Sequence, residues 1–204
     1  KIQNLQIFNK ILNQAEVDYL YNTPSSPAIV RRINTGGTAI PATDGEINWQ
    51  ANSVPGATSG TDYTMNTSNV FNGTAVTWTR HASIPASIPD NDFQALFDSE
   101  RWDAVQVPEM LLTMTNFTAG NYTVRLYIGE ASSPPRSIGF RNYDVKINGV
   151  QVATDLDAVE EFGAANVAGM VQFDDITVTD TITIEWIHSI ENPQINGIEI
   201  IKTP

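Results

Sequence analysis

A chain of 204 residues with 41% hydrophobic content, 13 glycines and 11 prolines suits one folded domain and is neither collagen-like nor disordered. Eleven basic against 23 acidic residues leave a net charge of −12, which argues against nucleic acid, anionic membrane surfaces and most acidic polymers as partners. With no cysteine and only His81 and His188, disulfides, thiolate metal sites and cysteine nucleophiles are excluded.

In chain order, residues 1–22 form a unit of their own. Lys1 to Phe8 suggests a short strand, and Asn13 with Glu16 three places on makes a capping box. Val17, Leu20 and Tyr21 then share one face of a two-turn helix over Gln14 to Tyr21. Residues 23–31, opening on Thr23-Pro24-Ser25-Ser26-Pro27, read as a linker, and residues 32–204 as the main domain. The chain reads as a piece of a longer protein, so an export signal is expected upstream.

Beyond the linker the apolar period is two. Pro41 to Asp98 carries the weakest signal, with Trp49, Tyr63, Phe71, Trp78 and Phe93 scattered through Gly-, Ser-, Asn- and Pro-rich loops. Tyr122, Val124, Leu126 and Ile128 alternate with polar or outward residues. Tyr143, Val145 and Ile147 lead into Asn148-Gly149, a hairpin turn followed by Val150 and Val152. Ile182, Ile184 and Trp186 share a face that His188 continues, and Ile195, Ile198 and Ile200 close the pattern. Many short strands without a long amphipathic helix predict an all-β fold, a two-sheet antiparallel β-sandwich of jelly-roll type.

Catalytic chemistry finds little support. Asp98, Glu100, Asp103, Asp155, Asp157, Glu160 and Glu161 could supply a glycosidase pair, but carboxylates in an acidic chain are mostly solvated. Neither histidine lies near a serine elbow. Asp90-Asn91-Asp92 and Asp174-Asp175 with Asp180 are candidates for a structural calcium ion, without the spacing of a calcium loop, and no other cofactor is indicated. Four N-glycosylation sequons begin at Asn66, Asn72, Asn116 and Asn121. What remains is the vocabulary of a sugar site: rings to pack on C–H faces, with carboxylates and amides to bond hydroxyls.

Two resemblances add to this. Leu5 to Leu12, with Ala15-Glu16-Val17 and Leu20-Tyr21-Asn22, resembles the C-terminal tail of a laminin-G/concanavalin-like domain. Such a domain would then be the upstream partner in the parent protein. From about Arg32 to Ile201 the chain resembles the malectin domain. The landmarks run in order: Ile33-Asn34-Thr35-Gly36-Gly37, Asp62-Tyr63, Leu96 to Trp102, Gly120 to Leu126 with Glu130, Tyr143 to Gly149, Asp155-Leu156-Asp157, Glu191-Asn192-Pro193 and Ile195 to Ile200.

The resemblance implies a β-sandwich sugar-binding module; animal malectin recognises glucose disaccharides. By motif, Tyr63 and Trp102 take the places of two stacking tyrosines, and Glu191 that of the sugar-binding aspartate, with Asn192 beside it. Malectin's adjacent Tyr-Phe pair is replaced by Ser132-Ser133, so diglucose specificity does not carry over, and Trp49 is the candidate substitute ring. The glycine pair reads as a backbone requirement, and Glu100 with Arg101 as structural pairing.

The resulting expectation is a non-catalytic carbohydrate-binding module of a secreted or cell-surface, multidomain bacterial protein, with a glycan or polysaccharide as partner. The alternatives are a structural or adhesion spacer that has lost the sugar pocket, and a glycan-cleaving enzyme.

Overall fold

The computed structural model describes residues 27–52, 62–67, 69–73, 76–104, 107–131 and 136–204. The strand and helix expected within residues 1–22, with the laminin-G-like tail they would form, lie outside the described residues, as do residues 132–135.

Two sheets carry the fold. The larger has six strands in the order β2 (Gln50–Asn52), β1 (Ala28–Thr35), β14 (Gly197–Lys202), β8 (Gly120–Gly129), β11 (Val167–Val178) and β5 (Thr79–Arg80). The second has five, in the order β10 (Val150–Leu156), β9 (Asn142–Ile147), β12 (Ile182–Ile190), β7 (Met110–Met114) and β3 (Tyr63–Met65). Long strands pair antiparallel, as the alternation predicts, while the short edge strands β2 and β5 pair parallel to β1 and β11. Strand β1 begins at Ala28 and pairs with β14 along its length, so residues 28–31 belong to the sheet although they read as linker in the sequence.

Period-two patterning puts one side of each strand between the sheets. Val124, Leu126 and Ile128 of β8 and Ile198 and Ile200 of β14 meet Val145, Ile147, Ile182, Ile184 and Trp186 of the second sheet, all buried. At the β9–β10 hairpin Asn148 and Gly149 both adopt positive φ, 50° and 78°, as the Asn-Gly pair predicts.

The outer face of the six-stranded sheet is covered as well. Helix α1 (Asp90–Phe97) lays Phe93, Leu96 and Phe97 over Trp49, Trp78 and Tyr127 in a second apolar cluster. This helix was not evident in the loop-like stretch before Asp98. Its signals were Pro89 at the start, acids in the first turn and an i, i+3, i+4 apolar triplet. A one-and-a-half-turn helix, α2 (Ala158–Phe162), follows β10.

Under α1 lies a buried ionic network. Arg32 donates to both carboxylate oxygens of Asp44 (3.1 and 2.8 Å) and to Glu199 (2.8 Å), while Arg125 and Tyr127 bond the other Glu199 oxygen. Burial opposes the Arg32 charge, but Asp44 and Glu199 outweigh it and hold its pKa above the ordinary value.

Candidate functional site

A third, three-stranded sheet sits at the pole of the sandwich where β8 and β12 end. Its order is β13 (Gln194–Ile195), β6 (Ser99–Trp102) and β4 (Val70–Asn72). Backbone packing fixes β6 there. Gly36, at φ 79°, lies so close that an added Cβ would stand 2.3 Å from the Glu100 carbonyl oxygen. Buried Asn196 donates to the Ser99 carbonyl (2.9 Å) and accepts from the Gly129 amide (2.9 Å), tying β6 to β8.

Alternation along β6 decides which side chains face solvent. Ser99 and Arg101 point inward and are buried; Arg101 donates to the Asn52 carbonyl (2.7 Å) and the Thr67 carbonyl (3.0 Å). Glu100 and Trp102 point outward and are partly exposed. Directly paired residues share a face, so exposed Phe71, opposite Glu100, joins them, while Gln194, opposite Trp102, is buried and donates to the Gly129 carbonyl (3.0 Å). Glu100 and Arg101 therefore stand on opposite sides of the strand, and their expected mutual pairing does not form.

Next to this face is a charged cluster. Glu130, just after β8, lies 2.7 Å from Arg141 Nε and 3.2 Å from Arg136 Nε, and it accepts a hydrogen bond from Gln194 (3.2 Å). The Arg136 guanidinium sits over the Phe140 ring at 4.0 Å, and Arg141 donates to the Asn192 carbonyl. Burial, reinforced by nearby Glu130 and only partly offset by Arg141 and Arg136, pushes Glu100 up to about 7. Phe71, Ile138, Phe140 and Ile190, all exposed apolar side chains, surround the same pole.

The segment after Trp102 is anchored too. The Asp103 amide donates to the Pro193 carbonyl (3.2 Å), and His188 bridges Glu109 (Nδ1, 2.6 Å) and the Asp103 carbonyl (Nε2, 2.9 Å). His188 is thus a satisfied sheet histidine that braces the site's edge.

The family model for the malectin domain matches residues 29–198. The chain belongs to the malectin domain family. Among solved structures it is similar to the extracellular domain of ANXUR2 from Arabidopsis thaliana (15% identity, TM-score 0.69), covering 86% of this chain and 49% of that one. The plant receptor-like kinase FER gives the same identity and TM-score over 86% and 50%. A β-glucuronidase from Bacteroides uniformis matches at 16% identity and TM-score 0.60, over 85% of this chain and 18% of the enzyme. At such identities the likeness is one of fold, and the chain spans about half the length of the plant ectodomains. No curated protein sequence matches significantly.

Of the three positions matched to the malectin sugar site, Trp102 and Glu191 lie at this pole, with Asn192 beside Glu191. Trp102 pairs with Gln194, the strand residue two places after Asn192, and Glu191 sits in the turn just before it at φ 58°, exposed. Tyr63 is a core residue instead. It is 4% exposed, pairs with Met114 at the opposite end of β7, and its hydroxyl donates to the Ala51 carbonyl. Trp49 does not replace the lost rings either: it is fully buried, edge-on to Tyr127 (5.3 Å) with Arg32 over its face (5.0 Å). Both were misjudged because ring content in a loop-rich stretch does not reveal which face the chain will cover.

The other acids are mostly structural in this malectin domain. Asp157 caps α2 by accepting from the Val159 amide (2.8 Å) and holds the Gly139 amide (2.6 Å). Asp92 accepts from Thr43, Asp90 pairs with Arg80, and Asp174 accepts from Thr123 and Gln172. Among the described residues no three carboxylates or imidazoles gather in a way that could hold a metal ion.

Proposed function

We propose that this malectin domain is a non-catalytic carbohydrate-binding module, working outside the cell as part of a larger protein and gripping a glycan at the three-stranded pole. The observation that supports it is the shared outward face of Trp102, Glu100 and Phe71 beside the turn of exposed Glu191 and half-buried Asn192. A flat ring meets the C–H face of a sugar, and carboxylate and amide bond its hydroxyls. Relative to the sequence reading, Tyr63 and Trp49 leave the site, and Phe71, Phe140 and Glu100 enter it. Water competes well for sugar hydroxyls, so affinities on the order of micromolar to millimolar are expected. Linked to an enzyme or adhesin, such a module raises local concentration at a polysaccharide.

Affinity electrophoresis against a panel of neutral and acidic polysaccharides tests this. Retention by at least one, lost in W102A and weakened in E191A, is the expected outcome; no retention by any would reject the reading. The spacer alternative predicts that second result. The upstream laminin-G-like partner remains part of the proposal for the parent protein.

A further inference from the structure

The charges beside the ring face narrow the class of sugar. Arg136 is held by Glu130 through its Nε side and by Phe140 beneath its plane, and its side chain stays 24% exposed. Among the described residues none of its guanidinium nitrogens makes a hydrogen bond; Nε is buried beside Glu130, and the two terminal nitrogens are left as a fork without a partner. A planar fork of this kind matches a carboxylate bidentately.

Glu100 is the second element. It points out between Trp102 and Phe71, and among the described residues its carboxyl makes neither a hydrogen bond nor an ion pair. The charged groups that face it are Glu130 from the end of β8, and Arg136 and Arg141 from the following loop.

We infer that the ligand of this pole carries a carboxylate, a uronic-acid-containing saccharide whose acid group is read by the Arg136 fork with Glu100 donating a hydrogen bond to it. This rests on the carbohydrate-binding reading and adds the substrate class. A neutral Glu100 can donate to a ligand carboxylate, whereas an ionised one would repel it. Because Glu100 titrates near 7, at least part of the population carries the proton in neutral solution. The net charge of −12 acts against an acidic polymer at long range, but beyond about 8 Å it is largely screened at physiological salt.

The test uses the full chain and paired probes: polygalacturonate, alginate and glucuronoxylan, each beside its carboxyl-reduced form. At pH 6, at least one acidic polymer should be retained and its reduced form bound at least about tenfold more weakly. R136A should abolish that retention and R136K weaken it about tenfold, because the lysine keeps the charge and loses the fork. If R136A unfolds, R136K decides. Binding should fall by about tenfold per pH unit above 7, and E100Q, which keeps a donor that cannot ionise, should flatten that dependence. Equal retention of reduced polymers, or wild-type affinity in R136K, overturns the acidic-ligand inference and leaves the sugar site standing. No retention of any polymer removes both.

Discussion

At the residue scale, Glu100 makes the sharpest claim. Its neighbours on the strand, Ser99 and Arg101, are buried structural residues, and it alone faces out beside Trp102 with a carboxyl pushed up to about 7. The ordinary carboxyl value is lower, so folding favours the proton. That contribution is complete below the unfolded value, near 4.5, and is lost as pH rises through 7. E100Q should therefore be more stable than wild type at pH 8.5, by about 1–3 kcal/mol at most, and nearly unchanged at pH 4. Thermal melts of both proteins at the two pH values check it; an equal difference at both would remove Glu100 from the partly buried cluster. Gly36 makes a second residue-scale claim. Any side chain there meets the Glu100 backbone at 2.3 Å and sits at φ 79°, so G36A should cost about 2 kcal/mol or more. It should also weaken glycan retention by displacing β6. The Gly-Gly motif was legible as a backbone requirement; that its neighbour is the site strand was not, because the contact joins residues far apart in sequence.

At the element scale, four of the alternating strands were readable, whereas the longest strand, β11, and the short elements were not. β8, β9, β12 and β14 follow the alternation of Tyr122 to Ile128, Tyr143 to Ile147, Ile182 to Trp186 and Ile198 to Ile200, since one face of each is buried against the other sheet. α2 was hidden by its length, five residues, although Asp157 and Gly163 supply a side-chain N-cap and a left-handed C-cap at φ 89°. Asp157 also holds Gly139 in the loop that carries Arg136 and Phe140. D157A should lower stability by about 1 kcal/mol and speed amide exchange across residues 136–141, read by hydrogen exchange. Exchange unchanged in that loop would mean the cap serves the helix alone.

At the scale of the whole molecule, one pole carries the proposed site while the outer face of the six-stranded sheet is closed by α1 and a charged layer. Arg32, Asp44, Arg125, Tyr127 and Glu199 form a fully engaged network, and removing one member leaves buried charge uncompensated. E199A should destabilise the domain by about 3–5 kcal/mol in urea denaturation. A loss under 1 kcal/mol would show that Arg32 is satisfied by Asp44 alone. This network also settles Trp49, whose ring lies beneath Arg32 and cannot reach a ligand while the domain is folded.

Local pattern alone determined that this chain is a β-sandwich and where β8, β9, β12 and β14 lie, because side-chain alternation and turn chemistry are properties of neighbouring residues. The family was legible as a resemblance of ordered landmarks, which the malectin family model over residues 29–198 bears out. Which aromatics are core and which are surface was decided by tertiary structure. Trp49, Tyr63 and Trp102 are equally plausible rings in a sequence, and only the docking of β6 on Gly36 turns Trp102 outward, while Arg32 over Trp49 and the pairing of β3 with β7 bury the other two. The cluster of Glu100, Glu130, Arg136 and Arg141 likewise exists because the ends of β8 and β6 converge, a long-range contact that no local spacing encodes.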